Sequence, residues 1–218
     1  MQARSAMLGL AAATAFSSAA IAAPCVQNAL TKYTAPGFSC SVGSETFSGF
    51  SYVAHKTVSV SAADVTVIPR LDHNPTDPGL TFSGRWQLLA PSATANFILS
   101  FFVNAAPASI SGASTQLVGH SSSSGLVLDT VALVPPGAAV TTFAPPIGTG
   151  FGSVAFSPVV GPIDVIESVF LTGPETLSDV TNRFQDTPAI PEPISLALLG
   201  VGLTALGAAR RRRASRGH

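Results

Sequence analysis

Short apolar stretches recur along the middle of the chain, most of them alternating with polar residues in a period of two. Gly, Pro, Ser and Asn separate them, a pattern typical of strands joined by turns. A three-turn helix needs an uninterrupted 3.6-residue period, which only the two ends of the chain offer. The pattern therefore predicts an all-β protein, an antiparallel β-sandwich for which a jelly-roll and an Ig-like arrangement are both open. The predicted strands are Thr46–Val53, Thr57–Val60, Asp64–Ile68, Leu80–Ser83, Arg85–Leu89, Asn96–Val103, Gln116–Val118, Gly125–Val134 and Val165–Leu171.

The segment Val134–Pro162 differs, because prolines and glycines interrupt it repeatedly. It is predicted as a long crossover or surface loop with one short strand at Val140–Phe143. Thr172–Leu177 reads as a further turn, Val180–Gln185 as the last strand and Asp186–Ile190 as a tether. Four aromatic residues are expected in the core rather than on a ligand platform, with the adjacent pair on opposite faces of one strand: Trp86, Phe97, Phe101 and Phe102.

The C-terminal end carries an uncharged apolar run, Ile194–Ala209, followed at once by Arg210, Arg211, Arg212 and Arg213. Sixteen residues make a helix of about 24 Å, short of a hydrocarbon core of about 30 Å, so the run predicts a weak transmembrane anchor. The arginines would stay in the cytoplasm and leave the preceding chain outside it. A basic nucleic-acid patch is the alternative, and the adjoining apolar run argues against it.

The same end contains Pro191, Glu192 and Pro193 directly before the apolar run. The two prolines bias this backbone toward an extended form that a processing enzyme can reach. Pro-Glu-Pro, a short apolar helix and a terminal arginine cluster together resemble the PEP-CTERM sorting signal. The resemblance covers only the tail. It implies that an exosortase, a membrane enzyme, cuts near the motif and delivers the protein to the cell surface or beyond, often alongside exopolysaccharide production.

The N-terminal end reads as a secretory signal peptide, residues 1–22, because Arg4 precedes an apolar stretch and a small-residue cleavage site. Signal peptidase would cut between Ala22 and Ala23. Cys25 and Cys40 are the only cysteines, and in an oxidising compartment they are expected to form a disulfide. Two buried thiols are the alternative. A lipid anchor on Cys25 is disfavoured, since the residues before it do not form a lipid-attachment box.

Removing both signals leaves a sandwich ectodomain, residues 23–185, and a linker with the sorting signal, residues 186–218. Between Ala23 and Ile190 there are five basic and ten acidic side chains, a net charge of −5 that the basic ends conceal. An acidic body has no electrostatic reason to bind nucleic acid or anionic lipid.

Candidate catalytic and metal sites in this body are weak. Gly119-His120-Ser121 resembles the start of a nucleophile elbow, but Ser123 stands where the second glycine belongs. Oxygen ligands for calcium cluster at Asp72, Asn74 and Asp77, yet an ordinary proline-containing turn explains them better. Asp164 and Glu167 are three apart on one strand and should face opposite sides, and the histidines share no ligand spacing. No metal and no cofactor are expected; the histidines considered are His55, His73 and His120.

Two functions remain. The preferred one is a non-enzymatic, exported surface or matrix protein with extracellular polysaccharide as a candidate partner, held by the membrane until an exosortase processes it. The alternative is a secreted carbohydrate-active enzyme on a jelly-roll scaffold. It would need two carboxylates at a workable separation in a cleft, together with exposed aromatic side chains.

Overall fold

The computed structural model describes residues 22–55, 60–71, 77–90, 93–121, 125–144 and 147–187. Within these ranges the chain forms one four-residue helix, α1 (Leu30–Tyr33), and twelve strands. The strands are β1 (Asn28–Ala29), β2 (Ser39–Val42), β3 (Glu45–Ala54), β4 (Thr66–Arg70), β5 (Gly79–Leu88), β6 (Thr94–Asn104), β7 (Ser109–Ser121), β8 (Leu126–Val134), β9 (Ala138–Ala144), β10 (Ile147–Val159), β11 (Ile163–Thr172) and β12 (Glu175–Thr187).

The strands form two six-stranded antiparallel sheets that pack face to face. Sheet I has the order β2-β3-β6-β11-β8-β9, and sheet II has the order β1-β4-β5-β12-β7-β10. From β5 onward the chain crosses to the other sheet at every connection except the one between β8 and β9. Such frequent crossing is the jelly-roll type of connectivity. The predicted all-β sandwich is confirmed.

Alternation along each strand sends apolar side chains into the space between the sheets. In β11, for example, Ile163, Val165, Val169 and Leu171 are buried, whereas Ile166 and Phe170 on the other face are partly exposed. The period of two read from the sequence therefore separates the inner face from the outer face.

The centre of the interior is aromatic. The ring of Phe101 lies 6.0 Å from Phe47 and 5.6 Å from Phe50 on sheet I, and 5.8 Å from Phe82 and 6.1 Å from Phe184 on sheet II. Its neighbour Phe102 is 43% exposed on the outer face, as the alternation predicted.

A second aromatic group lies further along the same interior. Trp86 stacks on Phe97 at 4.8 Å, and its indole N–H donates to the Tyr52 hydroxyl at 3.0 Å. Trp86 and Phe97 are buried, as expected of core residues. Because Tyr52 accepts the indole proton, burial of this polar group leaves no unpaired donor.

The short strand predicted at Val140–Phe143 is confirmed as part of β9, but the surrounding loop predicted over Val134–Pro162 is wrong, because most of that segment forms β9 and β10. The glycines that suggested a loop serve close packing instead. A Cβ at Gly150 would overlap the carbonyl oxygen of Phe143, and one at Gly152 would overlap the hydroxyl of Thr142. These glycines allow β10, at the edge of sheet II, to lie directly against β9, at the edge of sheet I.

Other boundaries also shift. Leu80–Ser83 and Arg85–Leu89 join in the single strand β5, and Gln116–Val118 is part of the much longer β7. The predicted turn at Thr172–Leu177 shortens to the residues between β11 and β12. Of the predicted strand Thr57–Val60 only Val60 lies within the described residues, and it lies outside every strand.

The predicted disulfide is present. Cys25 and Cys40 are bonded with their Cα atoms 4.8 Å apart. Backbone hydrogen bonds join the same two segments, from Cys25 N to Ser41 O at 2.8 Å and from Ser41 N to Ala23 O at 2.9 Å. The bond therefore fastens the segment that precedes β1 to β2, at the edge of sheet I.

No helix in the ranges given above is long and apolar enough to cross a membrane. The predicted transmembrane segment Ile194–Ala209 lies outside those ranges, as do the signal peptide residues before Ala22.

Replacing Cys25 and Cys40 together by serine should lower the free energy of unfolding by about 3 kcal/mol, because the bond closes a loop of 15 residues in the unfolded chain. Urea denaturation of the wild type and the double variant measures the difference. Ser39→Ala, an exposed change in the same strand, is the control and should cost little. A double variant as stable as the wild type would show that the bond does not stabilise the fold.

Candidate functional site

A cleft of about 250 Å³ lies on the outer face of sheet II, over β12, β7 and β10. The register of these strands builds it. Arg183 of β12 pairs with Ser114 of β7, which pairs in turn with Ser153 of β10, so the three side chains form one row across the sheet. The cleft is lined by Asp77, Gly112, Ala113, Ser114, Phe151, Ser153, Val154, Ala155, Arg183, Phe184 and Gln185.

Residues with small side chains form the floor of this cleft, which leaves the cleft open. Gly112 lies between Gln185 and Ala155 in the neighbouring row. A Cβ at Gly112 would lie 3.0 Å from Gln185 Oε1 and 3.3 Å from the carbonyl oxygen of Val154. A larger residue at this position would push the Gln185 side chain aside and fill the cleft.

Phe151 forms the apolar wall of the cleft. Its side chain is 68% exposed, which is unusual for a phenylalanine in a sheet. Around it lie an amide, two hydroxyls, one guanidinium and one carboxylate, so the cleft combines an aromatic face with groups that donate and accept hydrogen bonds. The charges of Asp77 and Arg183 have opposite signs, so the cleft has no net charge.

A row of hydroxyls adjoins the cleft on the same face. The Thr81 hydroxyl accepts from Arg70 Nε at 2.8 Å and lies 2.8 Å from the Thr181 hydroxyl. Thr181 pairs with Gln116, which pairs with Phe151. These bonds fix the surface beside Phe151 before any ligand arrives.

A second, wider cleft of about 670 Å³ lies at the other part of sheet II and contains a single acid, Asp64. The carboxylate of Asp64 accepts hydrogen bonds from the hydroxyl and the backbone N–H of Ser61, at 2.6 and 3.0 Å. These bonds lower the pKa of Asp64, which is opposite to the shift that a general acid needs at neutral pH.

The most unusual polar groups lie between the sheets. Asp129 of β8 and Glu167 of β11 are fully buried on the inner face of sheet I. Sheet II supplies a donor to each: the Thr115 hydroxyl donates to Asp129 Oδ2 at 2.8 Å, and Asn182 Nδ2 donates to Glu167 Oε2 at 2.9 Å. Thr115 and Asn182 are themselves cross-strand partners.

The two carboxyls interact with each other. Burial raises the pKa of Asp129 to about 7, in spite of the Thr115 hydrogen bond. Burial, and next the negative charge of Asp129, raise the pKa of Glu167 well above its ordinary value. The remaining oxygens, Asp129 Oδ1 and Glu167 Oε1, have no hydrogen-bond partner among the described residues. A proton held by the pair is the arrangement that satisfies this geometry.

Another acidic group lies where β12 ends. Glu45, the first residue of β3, is fully buried beside Asp186, and the Ser44 hydroxyl donates to Asp186 Oδ2. Burial, and next the charge of Asp186, raise the pKa of Glu45 well above its ordinary value. This group joins the β2–β3 turn of sheet I to the residues that precede the C-terminal tail.

The sequence analysis considered Glu167 but did not predict that Glu45, Asp129 and Glu167 are buried. Asp129 and Glu167 occupy inward positions of β8 and β11, and the other inward positions of the stretches Val127 to Leu133 and Val165 to Leu171 are apolar. The sequence did carry a signal, namely an acidic residue at a position where the alternation of the strand predicts an apolar one. Asp164 and Glu167 do face opposite sides, as predicted, but the partner of Glu167 lies on the neighbouring strand.

Among the described residues, the other sequence candidates do not assemble into a catalytic or metal site. Gly119 to Ser121 is the end of β7, not the strand-to-helix turn that a nucleophile elbow requires. Ser123, Asp72, Asn74 and His73 lie outside the described residues, whereas Asp77 lines the cleft. Within the described part of the chain, no three His, Cys, Asp or Glu side chains are placed to hold a metal ion.

Pro191, Glu192, Pro193 and the arginines 210–213 lie outside the residues that the structure describes. Ala22 and Ala23 are the first residues that it does describe, and their cleavage stays a prediction.

Comparison with known proteins identifies the tail. The PEP-CTERM protein-sorting motif matches residues 189–213, which confirms the resemblance predicted for the tail and leaves the sandwich unassigned. The motif implies export and a sorting signal at the membrane. No curated protein matches the chain.

Two solved structures have a related arrangement of strands. One is TmCBM61 in complex with β-1,4-galactotriose, at 14% identity and a TM-score of 0.34, covering 65% of this chain and 90% of that one. The other is TmCBM27, a carbohydrate-binding module studied for mannan recognition, at 7% identity and a TM-score of 0.35, covering 66% of this chain and 99% of that one. Likenesses at this level do not extend to ligand or function.

The buried pair predicts that the protein is more stable in mild acid. A carboxyl whose pKa is raised by folding favours the native state while it is protonated. This stability is fully present below pH about 4, the unfolded value, and is lost as pH rises through about 7. The free energy of unfolding should fall by about 2–4 kcal/mol between pH 4 and pH 8. Denaturant titrations at several pH values measure it.

Asp129→Asn should make this pH dependence clearly shallower, because an amide cannot ionise. Some dependence should persist, since burial still raises the pKa of Glu167 in this variant and the pKa values of Glu45 and Asp186 are also raised. Asp164→Asn, which removes a carboxyl from the outer face of the same sheet, is the matched control. If Asp129→Asn and the wild type show the same pH dependence, the pair does not hold a proton in the native state.

Proposed function

We propose that the chain is an exported bacterial surface or matrix protein, sorted by an exosortase through its tail and without catalytic activity. The position of the tail carries this proposal. The last strand ends at Thr187 and the sorting motif begins at residue 189, so the processing segment follows the folded domain almost directly. Cutting near Pro191–Pro193 would separate a complete sandwich from the membrane segment.

The other end of the domain supports export. Ala23 would be the first residue after signal peptidase, and two residues later Cys25 forms the disulfide with Cys40. Disulfides of this kind persist in oxidising compartments outside the cytoplasm. The domain thus begins with a disulfide that is stable outside the cytoplasm, and it is followed by a sorting segment that an exosortase would remove.

The cleft on sheet II gives this domain a way to hold a neutral polysaccharide. Phe151 offers an exposed ring on which the apolar face of a sugar can stack, and the surrounding hydroxyls, amide and charged groups can bond sugar hydroxyls. The floor is built from adjacent strands of one sheet, so these groups are fixed in advance.

The alternative, a carbohydrate-active enzyme, lacks its main requirement in the described residues. Asp77 is the only acid lining the first cleft and Asp64 the only acid lining the second. The closely paired acids, Asp129 and Glu167, are sealed between the sheets where no substrate can reach them. Binding without catalysis is therefore the better proposal.

Exchanging Pro191, Glu192 and Pro193 together for alanine should abolish exosortase processing in the native host. The unprocessed protein should stay in the membrane fraction with its arginines attached, because the apolar run would no longer be removed. Pro188→Ala, three residues before the motif, is the matched control and should be processed normally. Fractionation with immunoblotting follows both forms. Normal release of the triple variant would refute sorting by this motif.

Phe151→Ala should weaken retention of the protein in gels containing exopolysaccharide from the native host, by about tenfold or more, because the stacking surface is lost. Leu89→Ala removes another exposed apolar side chain away from the cleft and should leave retention unchanged. Equal retention of the Phe151 variant and the wild type would rule out the cleft as the sugar-binding site while leaving the sorting proposal intact.

A further inference from the structure

The outer face of sheet I is unusually apolar for a surface. We call the outward-facing side chains of β6, β11, β8 and β9 the apolar face. Six of its large hydrophobic residues are well exposed: Phe143 (58%), Val134 (53%), Phe102 (43%), Leu126 (38%), Ile166 (38%) and Phe170 (38%). Exposed apolar residues scattered singly need no explanation, but several large ones on one sheet face mark a candidate interaction surface.

The register places these residues in ordered rows. Phe170 pairs with Leu128, and Leu128 pairs with Phe143, so three large side chains form a ridge across β11, β8 and β9. The next outward row along the same strands is Ser168, Thr130 and Thr141. Its smaller side chains form a groove beside the ridge.

The charge on this face is almost nil. Asp164 is the only charged residue among the outward positions of the four strands. By contrast, the exported domain as a whole has twice as many acids as bases. A second copy can therefore approach this face without the repulsion that it would meet elsewhere.

The size of the face suits a dimer. Four strands about 4.8 Å apart and about nine residues long at about 3.3 Å per residue cover roughly 600 Å². Two copies would bury about 1,200 Å² in total, which reaches the lower end of the range for specific interfaces. Two flat sheet faces also pack against each other at a spacing of about 10 Å, as the two sheets within one domain do.

We propose that two copies of this chain associate through their apolar faces, the ridge Phe170–Leu128–Phe143 of each lying in the groove Ser168–Thr130–Thr141 of the other. In a dimer with a two-fold axis, both subunits use the same face for the contact. A polysaccharide would find few hydrogen-bonding groups along the ridge, and a membrane surface would find no basic residue on this face. The cleft on sheet II remains open in the dimer, so the pair presents two clefts on opposite sides.

Sedimentation equilibrium of the protein purified from its native host, from about 1 to 100 µM, tests the proposal. The wild type should show twice the monomer mass. Phe143→Asp, which places a charge on the ridge, should weaken the dimer at least tenfold. Phe151→Asp is the matched control, because it makes the same change at an exposed phenylalanine on the other sheet, and it should leave the dimer intact.

Trp86 fluorescence and the intact disulfide report whether each variant folds. If Phe143→Asp does not fold, Thr141→Arg at the exposed edge of the groove replaces it and should dissociate the dimer equally. A wild type that stays monomeric at 100 µM overturns the proposal. So does a dimer that a folded ridge or groove variant leaves unchanged, or that Phe151→Asp dissociates.

Discussion

The structure depends on the packing of aromatic side chains between the inner faces of the two sheets. Phe101 is the centre of that packing, because its ring touches Phe47 and Phe50 on its own sheet and Phe82 and Phe184 on the other. A strand that slipped by one residue would turn Phe101 outward and Phe102 inward and break all four contacts. The aromatic cluster thus fixes the register of β6, and through the shared sheets it also fixes the rows that form the cleft and the apolar face.

The buried acids also link the inner faces of the two sheets. Asp129 and Glu167 on sheet I meet Thr115 and Asn182 on sheet II, so each acid accepts a hydrogen bond only when the sheets are correctly aligned. Burying a carboxyl costs free energy, and holding it neutral reduces that cost without removing it. We regard the pair as a device that favours one alignment of the sheets, at the expense of stability above neutral pH.

Most strands and the disulfide could be predicted from the sequence, because both depend on residues that are close together along the chain. Alternation located most strands, and the spacing of two cysteines in an exported chain was enough to predict their bond. Strand β10 was missed because Gly148, Gly150 and Gly152 resemble loop residues, although Gly150 and Gly152 lie where β10 packs against β9 and leaves no room for a side chain. The cleft could not be predicted, since Ser114, Ser153 and Arg183 meet only through the order of β12, β7 and β10. Asp129 and Glu167 likewise come together only by strand pairing.

We propose that export and processing leave a disulfide-closed sandwich with neither terminal signal. The intact mass of the protein recovered from the surface or medium of its native host tests this most directly. We expect a chain that begins at Ala23, ends near Pro191–Pro193 and lacks two hydrogens because Cys25 and Cys40 are joined. A mature chain that still carries the arginines 210–213, or that has both cysteines reduced, would contradict it.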